Sequence, residues 1–444
     1  MACAAERLPA WRLIHVNDAA PDVPRLPLLR HQDTRMQHDV IIIGAGPTGL
    51  CLAKALCDLD LKVALVERQP RAAIAEPAFD GREIALTHAS MRLLRELGLW
   101  QHLPEDECSP LRAARVMEGD GLHDMRIEAT LAGKPALGML APNHRIREAA
   151  WRVACDLPGL DLFDDVRIHA VRTTDDHAEV ILGDGLRLEA PLLVAADSRF
   201  SETRRAMGIA ADQYDFGKSM LVCRMHHEQP NRGVAWEWFG HGQTLALLPL
   251  REHLSSVVVT LPDNASRRLA ALDVDAFACE MEQRYGHRLG HMRLESSRHV
   301  YPLVGVYARR FVGRRFALAG DAAVGMHPVT AHGFNLGLAS VERLADLARE
   351  ALRWGGDLGG AGGLARYERR HRRGSRPLHL ATRAIVELYT NDRAPARLVR
   401  ESLLRAGRRL TPFRRVLAHT LADERPLDRH PLQRLRDGLE RLRP

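Results

Sequence analysis

The feature that most constrains this chain is Asp39-Val40-Ile41-Ile42-Ile43 running straight into Gly44-Ala45-Gly46-Pro47-Thr48-Gly49. A continuous apolar run is what a strand buried on both faces requires. Leu50 to Leu59 then reads as a helix, with Leu50, Ala53, Leu56 and Cys57 on one face. Leu61 to Val66 is a second apolar strand, and Glu67 ends it, 23 residues past Gly44. A Gly-x-Gly-x-x-Gly alone is a weak signal. With a strand before it, a helix and strand after it, and an acid at that distance, it marks a dinucleotide-binding βαβ unit. Gly44 permits the tight turn, Gly46 lets the backbone approach a pyrophosphate, and Gly49 lets the helix pack closely on the strand. Pro47 and Thr48 lie at the helix N-terminus, whose N–H groups attract phosphate, and they count with the glycines as cofactor-binding. Glu67, with Arg68 beside it, is placed to meet the ribose. A carboxylate there accepts from ribose hydroxyls and repels a 2′-phosphate, which favours FAD or NAD over NADP.

Two later segments choose between those cofactors. Arg315 to Ala319 is a short strand that ends in Gly320-Asp321, and His327-Pro328 and Gly333-Phe334-Asn335-Leu336-Gly337 follow. Such a strand presents the Asp321 carboxylate to the ribityl hydroxyls of a flavin. A helix running from Gly333 toward Trp354 directs its N-terminus at the flavin's pyrimidine edge, where it stabilises negative charge. NAD needs neither feature. A third segment, Asp197-Ser198-Arg199-Phe200-Ser201-Glu202-Thr203-Arg204, follows the apolar strand Leu192 to Ala196.

In these three segments, and in their order, the chain resembles the group A flavoprotein monooxygenases, the para-hydroxybenzoate hydroxylase-like family. The resemblance covers roughly residues 38–420. It implies FAD as cofactor, bound by Gly44, Gly46, Pro47, Thr48, Gly49, Glu67, Arg68, Asp197, Gly320, Asp321, Gly333 and Asn335. It also implies flavin contacts from Arg82, in Phe79-Asp80-Gly81-Arg82, and from Arg147, in Asn143-His144-Arg145-Ile146-Arg147. The third segment is Asp-Gly-x-x-Ser-x-x-Arg in the family and serves both flavin and NAD(P)H, the implied reductant. Here Ser198 replaces the glycine. Serine avoids the left-handed backbone that glycine tolerates, so the bland expectation is an ordinary backbone at 198.

The segment Met326 to Asn335 looks like the ubiquinone-biosynthesis hydroxylases, and Ala331-His332-Gly333 looks most similar to the branch that hydroxylates 5-demethoxyubiquinol. The implied reaction uses O2 through a flavin C4a-hydroperoxide and inserts oxygen into an electron-rich ring. His327, Pro328 and His332 are the candidate catalytic residues, since a histidine titrates near neutral pH. Tyr214, Trp236, Trp238, Phe239 and Tyr301 are candidates for an aromatic-ring pocket. Two other readings stay open: a hydroxylase of a soluble aromatic or polyketide compound, and a non-catalytic flavin-binding scaffold in a quinone-biosynthesis complex.

The resulting fold class is α/β: a Rossmann-like FAD-binding domain, an inserted β-sheet substrate domain and a C-terminal helical region. The expected division is 1–37 as leader or mis-assigned start, with Met36 as a candidate first residue. Then come 38–110, 141–214 and 298–355 as the flavin domain. Strands in 111–140 and the sheet of 215–297 form the substrate domain, and 356–444 form the C-terminal helices.

Charge bears on location. Of 63 basic residues only Lys54, Lys62, Lys134 and Lys218 are lysines. From Leu364 onward 21 arginines face nine acids, a net of +12, so residues 1–363 carry −5. This argues against a uniformly basic nucleic-acid binder. It places a basic helical segment at the C-terminus, with Leu378, Ala381, Ile385 and Leu388 at helical spacing. That suits a helical cap and also peripheral contact with anionic lipid, near a quinol-like substrate. The expectation is a cytoplasmic protein, peripheral on the inner membrane, with other quinone-biosynthesis proteins as candidate partners. Seven cysteines without a C-x-x-C fit free thiols, and no Cys/His cluster has metal-ligand spacing.

Overall fold

The run Val40–Ile43 lies at the heart of a six-stranded sheet ordered Val312–Gly313, Phe316–Leu318, Leu192–Ala195, Val40–Ile43, Val63–Val66 and Leu160–Phe163. The computed structural model describes residues 35–119, 123–240, 242–327 and 333–390, and of the stretch beyond them 400, 402, 405, 407, 408 and 410–422. All strands of this sheet are parallel except the edge pair Val312–Gly313 with Phe316–Leu318. Val40, Ile41 and Ile42 have no exposed surface, because helices cover one face of the sheet and the strands Ala178–Leu182 and Arg187–Ala190 cover the other. The helices Pro47–Cys57, Asn143–Ala154 and Gly333–Trp354 form the helical layer. Cys51 and Cys57 sit in it as free, buried thiols.

Ordered structure begins before His38. Arg35–Gln37 forms a parallel strand on Arg187–Ala190, in a four-stranded sheet completed by Ala178–Leu182 and Ile168–Thr173. Met36 pairs with Leu188, so residues 35–37 belong to the fold. The leader expectation for the residues before them lies outside the described residues.

The second large element is a nine-stranded sheet. It contains Ala113–Glu118 and His123–Glu128 from the early insertion, and Ala211–His227, Val234–Gly240, Gln243–Arg251 and Leu254–Pro262 from the later one. It also takes His299–Ala308, which sequence division assigned to the flavin domain. The physical reason is the 17-residue strand Ala211–His227, whose second edge needs a hydrogen-bonding partner along nearly its whole length. One face of the sheet is sealed by the helices Asp263–Ala270 and Val274–Arg284, through Phe277, Met281 and Tyr285. The other face carries Met220, Val222, Tyr301 and Leu303.

The helix Ala361–Thr390 packs against Gly333–Trp354. Of the apolar stripe expected from sequence, Leu378 packs against the main core, but the stripe does not continue inward. His371, Ser375, Thr382 and Val386 face inward, whereas Ala381 and Ile385 face solvent. Polar contacts decide this: Ser375 Oγ meets the Tyr307 hydroxyl at 3.2 Å, and His371 Nδ1 contacts Arg343. Beyond it, the helix Thr411–Leu421 packs Ala418 and Leu421 against Met125 and Ile127 of the nine-stranded sheet. No helix among the described residues is long and apolar enough to cross a membrane.

Candidate active site

Parallel pairing brings the separate sequence segments together. Ile43 is in register with Val66 on one side and Ala195 on the other, and Ala195 is in register with Leu318. Four strands therefore end at one edge of the sheet, where they deliver Gly44, Glu67, Asp197 and Asp321 in succession. That carboxyl edge is where open α/β sheets bind their ligands.

The glycines act by close approach. Gly44 has φ +107°, and a Cβ there would stand 2.6 Å from the Ala196 carbonyl oxygen. A Cβ on Gly49 would collide with the Gly44 carbonyl oxygen. Gly46 differs, since a Cβ there would meet no described atom within 4 Å. Its open side is the place where a backbone can approach a pyrophosphate. Thr48 wedges between Gly320, which has φ +57°, and Gly337, and so locks the glycine loop to the Gly-Asp turn. The Glu67 carboxylate accepts from Ala45 N at 2.7 Å and Gln69 N at 2.9 Å. Arg68 projects into solvent.

Asp197 accepts from Thr203 through Oδ2, while its buried Oδ1 has no partner among the described residues. Ser198 is not among the residues with positive φ, so serine carries no left-handed strain there. Arg204 is 1% exposed and donates to the Ala322 and Arg199 carbonyls at 2.9 and 3.1 Å. It thereby ties the Asp197 turn to the Asp321 turn. Asp321 pairs with Arg199 at 3.0 Å. Sequence reasoning missed Arg199; its signal was a cation two residues past Asp197, lost among the chain's many arginines. Gly333 starts its helix with Asp321 Oδ1 3.9 Å from the position a Cβ would take.

The facing wall is built on Asp80. Arg82 donates to Asp80 Oδ2 through Nε and Nη2 at 3.0 and 2.6 Å, Asn143 donates to it at 2.7 Å, and Tyr301 donates to the Asp80 carbonyl at 2.8 Å. Arg82 and Asn143 hold the Asp80 carboxyl below its usual range against the cost of burial. Arg147 is half-buried and makes no hydrogen bond or ion pair with a described residue. Burial lowers its pKa, while Glu67 and Asp80 favour its charge. Behind this wall Arg224 grips Glu83 Oε1 at 2.9 and 2.7 Å, and burial pushes the Glu83 carboxyl up to about 7. This pair joins the nine-stranded sheet to a three-stranded one made of Glu83–Leu86, Gly138–Pro142 and Ser109–Leu111, and was not foreseen.

His327 packs edge-on against Phe216, with ring centroids 4.7 Å apart, and Phe216 against Tyr214 at the same distance. Burial, Lys218 and Arg199 bring the His327 pKa down to about 4. The expectation that it titrates near neutral pH is therefore corrected: it is a neutral imidazole at pH 7. Pro328 and His332 lie outside the described residues. Asn335 is buried and commits its amide to the backbone, donating to Ala85 O at 2.9 Å and accepting from Thr87 N at 3.1 Å. Of the expected pocket aromatics, Tyr301 faces this site and Tyr214 reaches it through Phe216. Phe239 is buried in its strand. Trp236 and Trp238 pack on the helix-covered side of their sheet.

These residues fit FAD. The open side of Gly46, the unpartnered Asp197 Oδ1 and the unpaired Arg147 are groups a flavin dinucleotide would satisfy. Glu67 and Asp321 stand where its two sugar-like chains would pass.

Comparison with known proteins agrees. The model of an FAD-binding domain family matches residues 37–377. The ubiquinone hydroxylase UbiM of Neisseria meningitidis is 45% identical over 87% of this chain and 85% of its own. The ubiquinone hydroxylase UbiL of Rhodospirillum rubrum is 35% identical over 85% of this chain and 88% of its own. Among solved structures, the p-nitrophenol 4-monooxygenase PnpA of Pseudomonas putida superposes with a TM-score of 0.70 at 17% identity, covering 88% of this chain and all of that one. At that identity the likeness speaks for the fold, while the family match and the close relatives speak for the chemistry: this chain belongs to the FAD-binding family of group A flavoprotein monooxygenases.

Proposed function

We propose that this monooxygenase hydroxylates the aromatic ring of a ubiquinone precursor, a 5-demethoxyubiquinol-like quinol, with O2 and with NAD(P)H as electron donor. The observation that carries the reading is the 45% identity with a ubiquinone hydroxylase, which extends over 87% of the chain. When bound and reduced, FAD supplies the activation of O2 for transfer of one oxygen atom to an electron-rich ring. The chain's own residues do the rest. Gly44, Gly46, Gly49, Glu67, Asp197 and Asp321 hold the dinucleotide at the sheet edge. Met220, Val222, Tyr301 and Leu303 form an apolar wall that excludes water and packs the ring. Neutral His327 hydrogen-bonds without adding positive charge next to the ring.

The C-terminal helix supports peripheral membrane contact for a polyprenylated substrate. It leaves Leu380 54% and Ile385 38% exposed on a helix that also exposes Arg376 and Arg383, so apolar and cationic side chains share its surface. Deleting the gene and profiling quinones by mass spectrometry tests the proposal. The expected result is loss of ubiquinone with accumulation of a precursor lacking one ring oxygen. An unchanged quinone profile would overturn it. Purified protein that takes up no FAD would overturn the flavin assignment beneath it.

A further inference from the structure

The strand Val234–Gly240 carries an acid between two tryptophans, Trp236-Glu237-Trp238. Both tryptophans belong to the helix-covered side. Trp236 lies 6.4 Å from the Tyr285 ring, centroid to centroid, and Trp238 has Arg288 over its face at 4.7 Å. Strand residues alternate between faces, so Glu237 projects from the opposite side. Register shows what shares that side. Glu237 stands opposite Ala246 and Val116, Ala246 opposite Val258, and Val258 opposite Val222. Val222 and Val258 pack with Met220, Tyr301 and Leu303 in the wall assigned above to the ring. Val116 packs under Leu417 and Leu421 of the last described helix. Glu237 thus lies in one transverse row with the substrate wall, under the C-terminal cap.

Its state is unusual. Glu237 makes no hydrogen bond or ion pair with any described residue. Among the described residues, Glu118 on the same face, opposite Phe239, is bound through Oε1 by the buried Arg400. Glu237 is partly exposed, and its oxygens are not among the sealed polar atoms. A group lying along this face of the sheet can therefore reach the carboxyl. An unpartnered carboxyl in apolar surroundings costs stability, so a ligand group is the natural partner for it.

We propose that Glu237 is the contact for the substrate's ring hydroxyl: its carboxylate accepts the phenolic O–H and takes up the proton. The phenol O–H bond breaks and a Glu237 Oε–H bond forms. The electron pair stays on the phenolate oxygen and enriches the ring for oxygen transfer. Burial pushes the Glu237 pKa up to about 8, so the group is mostly protonated at pH 7 and the ionised fraction, which grows toward pH 8, performs the exchange; the raised value also narrows the gap to a phenol's value of about 10. The inference rests on the aromatic-substrate reading above.

The test uses FAD-loaded protein and two probes, a methoxy- and prenyl-substituted phenol and its O-methyl ether. Binding is read from perturbation of the flavin absorbance. Wild type is expected to prefer the phenol by roughly tenfold or more, as sites built around a hydroxyl do. Glu237→Leu should keep FAD, melt at a higher temperature, and bind both probes within about threefold of each other. Glu237→Gln retains a hydrogen bond, so it should keep most of the preference and the KM but lose kcat. A Leu variant that retains the wild-type preference would overturn the proposal, as would a wild type that binds both probes equally. A wild type that carries FAD and binds neither probe would overturn the aromatic-substrate reading itself. The failures are thereby distinguishable.

Discussion

Gly46 and Gly49 lie three residues apart in one loop, and the structure predicts opposite consequences for the same substitution. Gly49→Ala places a methyl far inside the 3.0 Å limit below which Cβ contacts essentially do not occur, and what it meets is backbone, the Gly44 carbonyl oxygen. The loop must shift, because no flexible side chain stands there to yield. Alanine returns up to about 1 kcal/mol of helix propensity, but forced overpacking costs about 1–3 kcal/mol or more. The apoprotein should therefore melt on the order of 5 °C lower. Gly46→Ala meets nothing within 4 Å, and its φ of −69° suits any L-residue. Losing glycine at this N-cap costs the apoprotein about 0.5–1 kcal/mol, a shift of roughly 2 °C. Its methyl instead occupies the side by which a pyrophosphate approaches, so FAD affinity should fall on the order of 100-fold, about 3 kcal/mol. Apoprotein melting and flavin fluorescence titration measure the two effects separately. If Gly46→Ala binds FAD like wild type, the phosphate does not approach at Gly46. If Gly49→Ala apoprotein melts like wild type, the close approach of strand and helix is not as described.

Two further perturbations probe the walls of the site. Arg224→Ala leaves Glu83, whose side chain is fully buried, without its cation. Chemical denaturation should show a loss of about 3–5 kcal/mol, and adding Glu83→Gln should recover about half; additive losses would deny the coupling. His327 titrates at about 4 in the folded chain against an ordinary 6.5, so between those values the unfolded chain binds the extra proton. Stability should fall as pH drops from about 6.5 to 4 and stay flat above that window. The contribution is about 3 kcal/mol, and His327→Asn should remove it from denaturation curves taken from pH 4 to 8. A variant curve parallel to wild type would show that His327 is not held neutral by its surroundings.

The strand ends were legible for a simple reason. Strands buried on both faces are continuous apolar runs, and parallel pairing then obliges Gly44, Glu67, Asp197 and Asp321 to meet at one edge. Ser198 shows the limit of a motif departure: glycine's freedom matters only where φ is positive, and here it is not. Arg199 and Arg224 were not legible, because a cation acquires meaning only from the acid that tertiary structure sets beside it. The helix Ala361–Thr390 misled differently. Its apolar spacing is real, but hydroxyl and imidazole contacts from Ser375 and His371 outweigh it and turn Ile385 outward.

The strand of Trp236 and Trp238 holds the most informative ambiguity. Period-two alternation states that Glu237 opposes the tryptophans, and it does not state which side meets the substrate. Large aromatics suggest a ring pocket, yet burying them against Phe277, Met281 and Tyr285 gains more apolar contact than a wet cavity offers. The helices therefore claim the tryptophans, and the side left to the substrate is the one that carries the acid. That face thus becomes the face with the chemistry, because the side chain hardest to bury is the one the core declined.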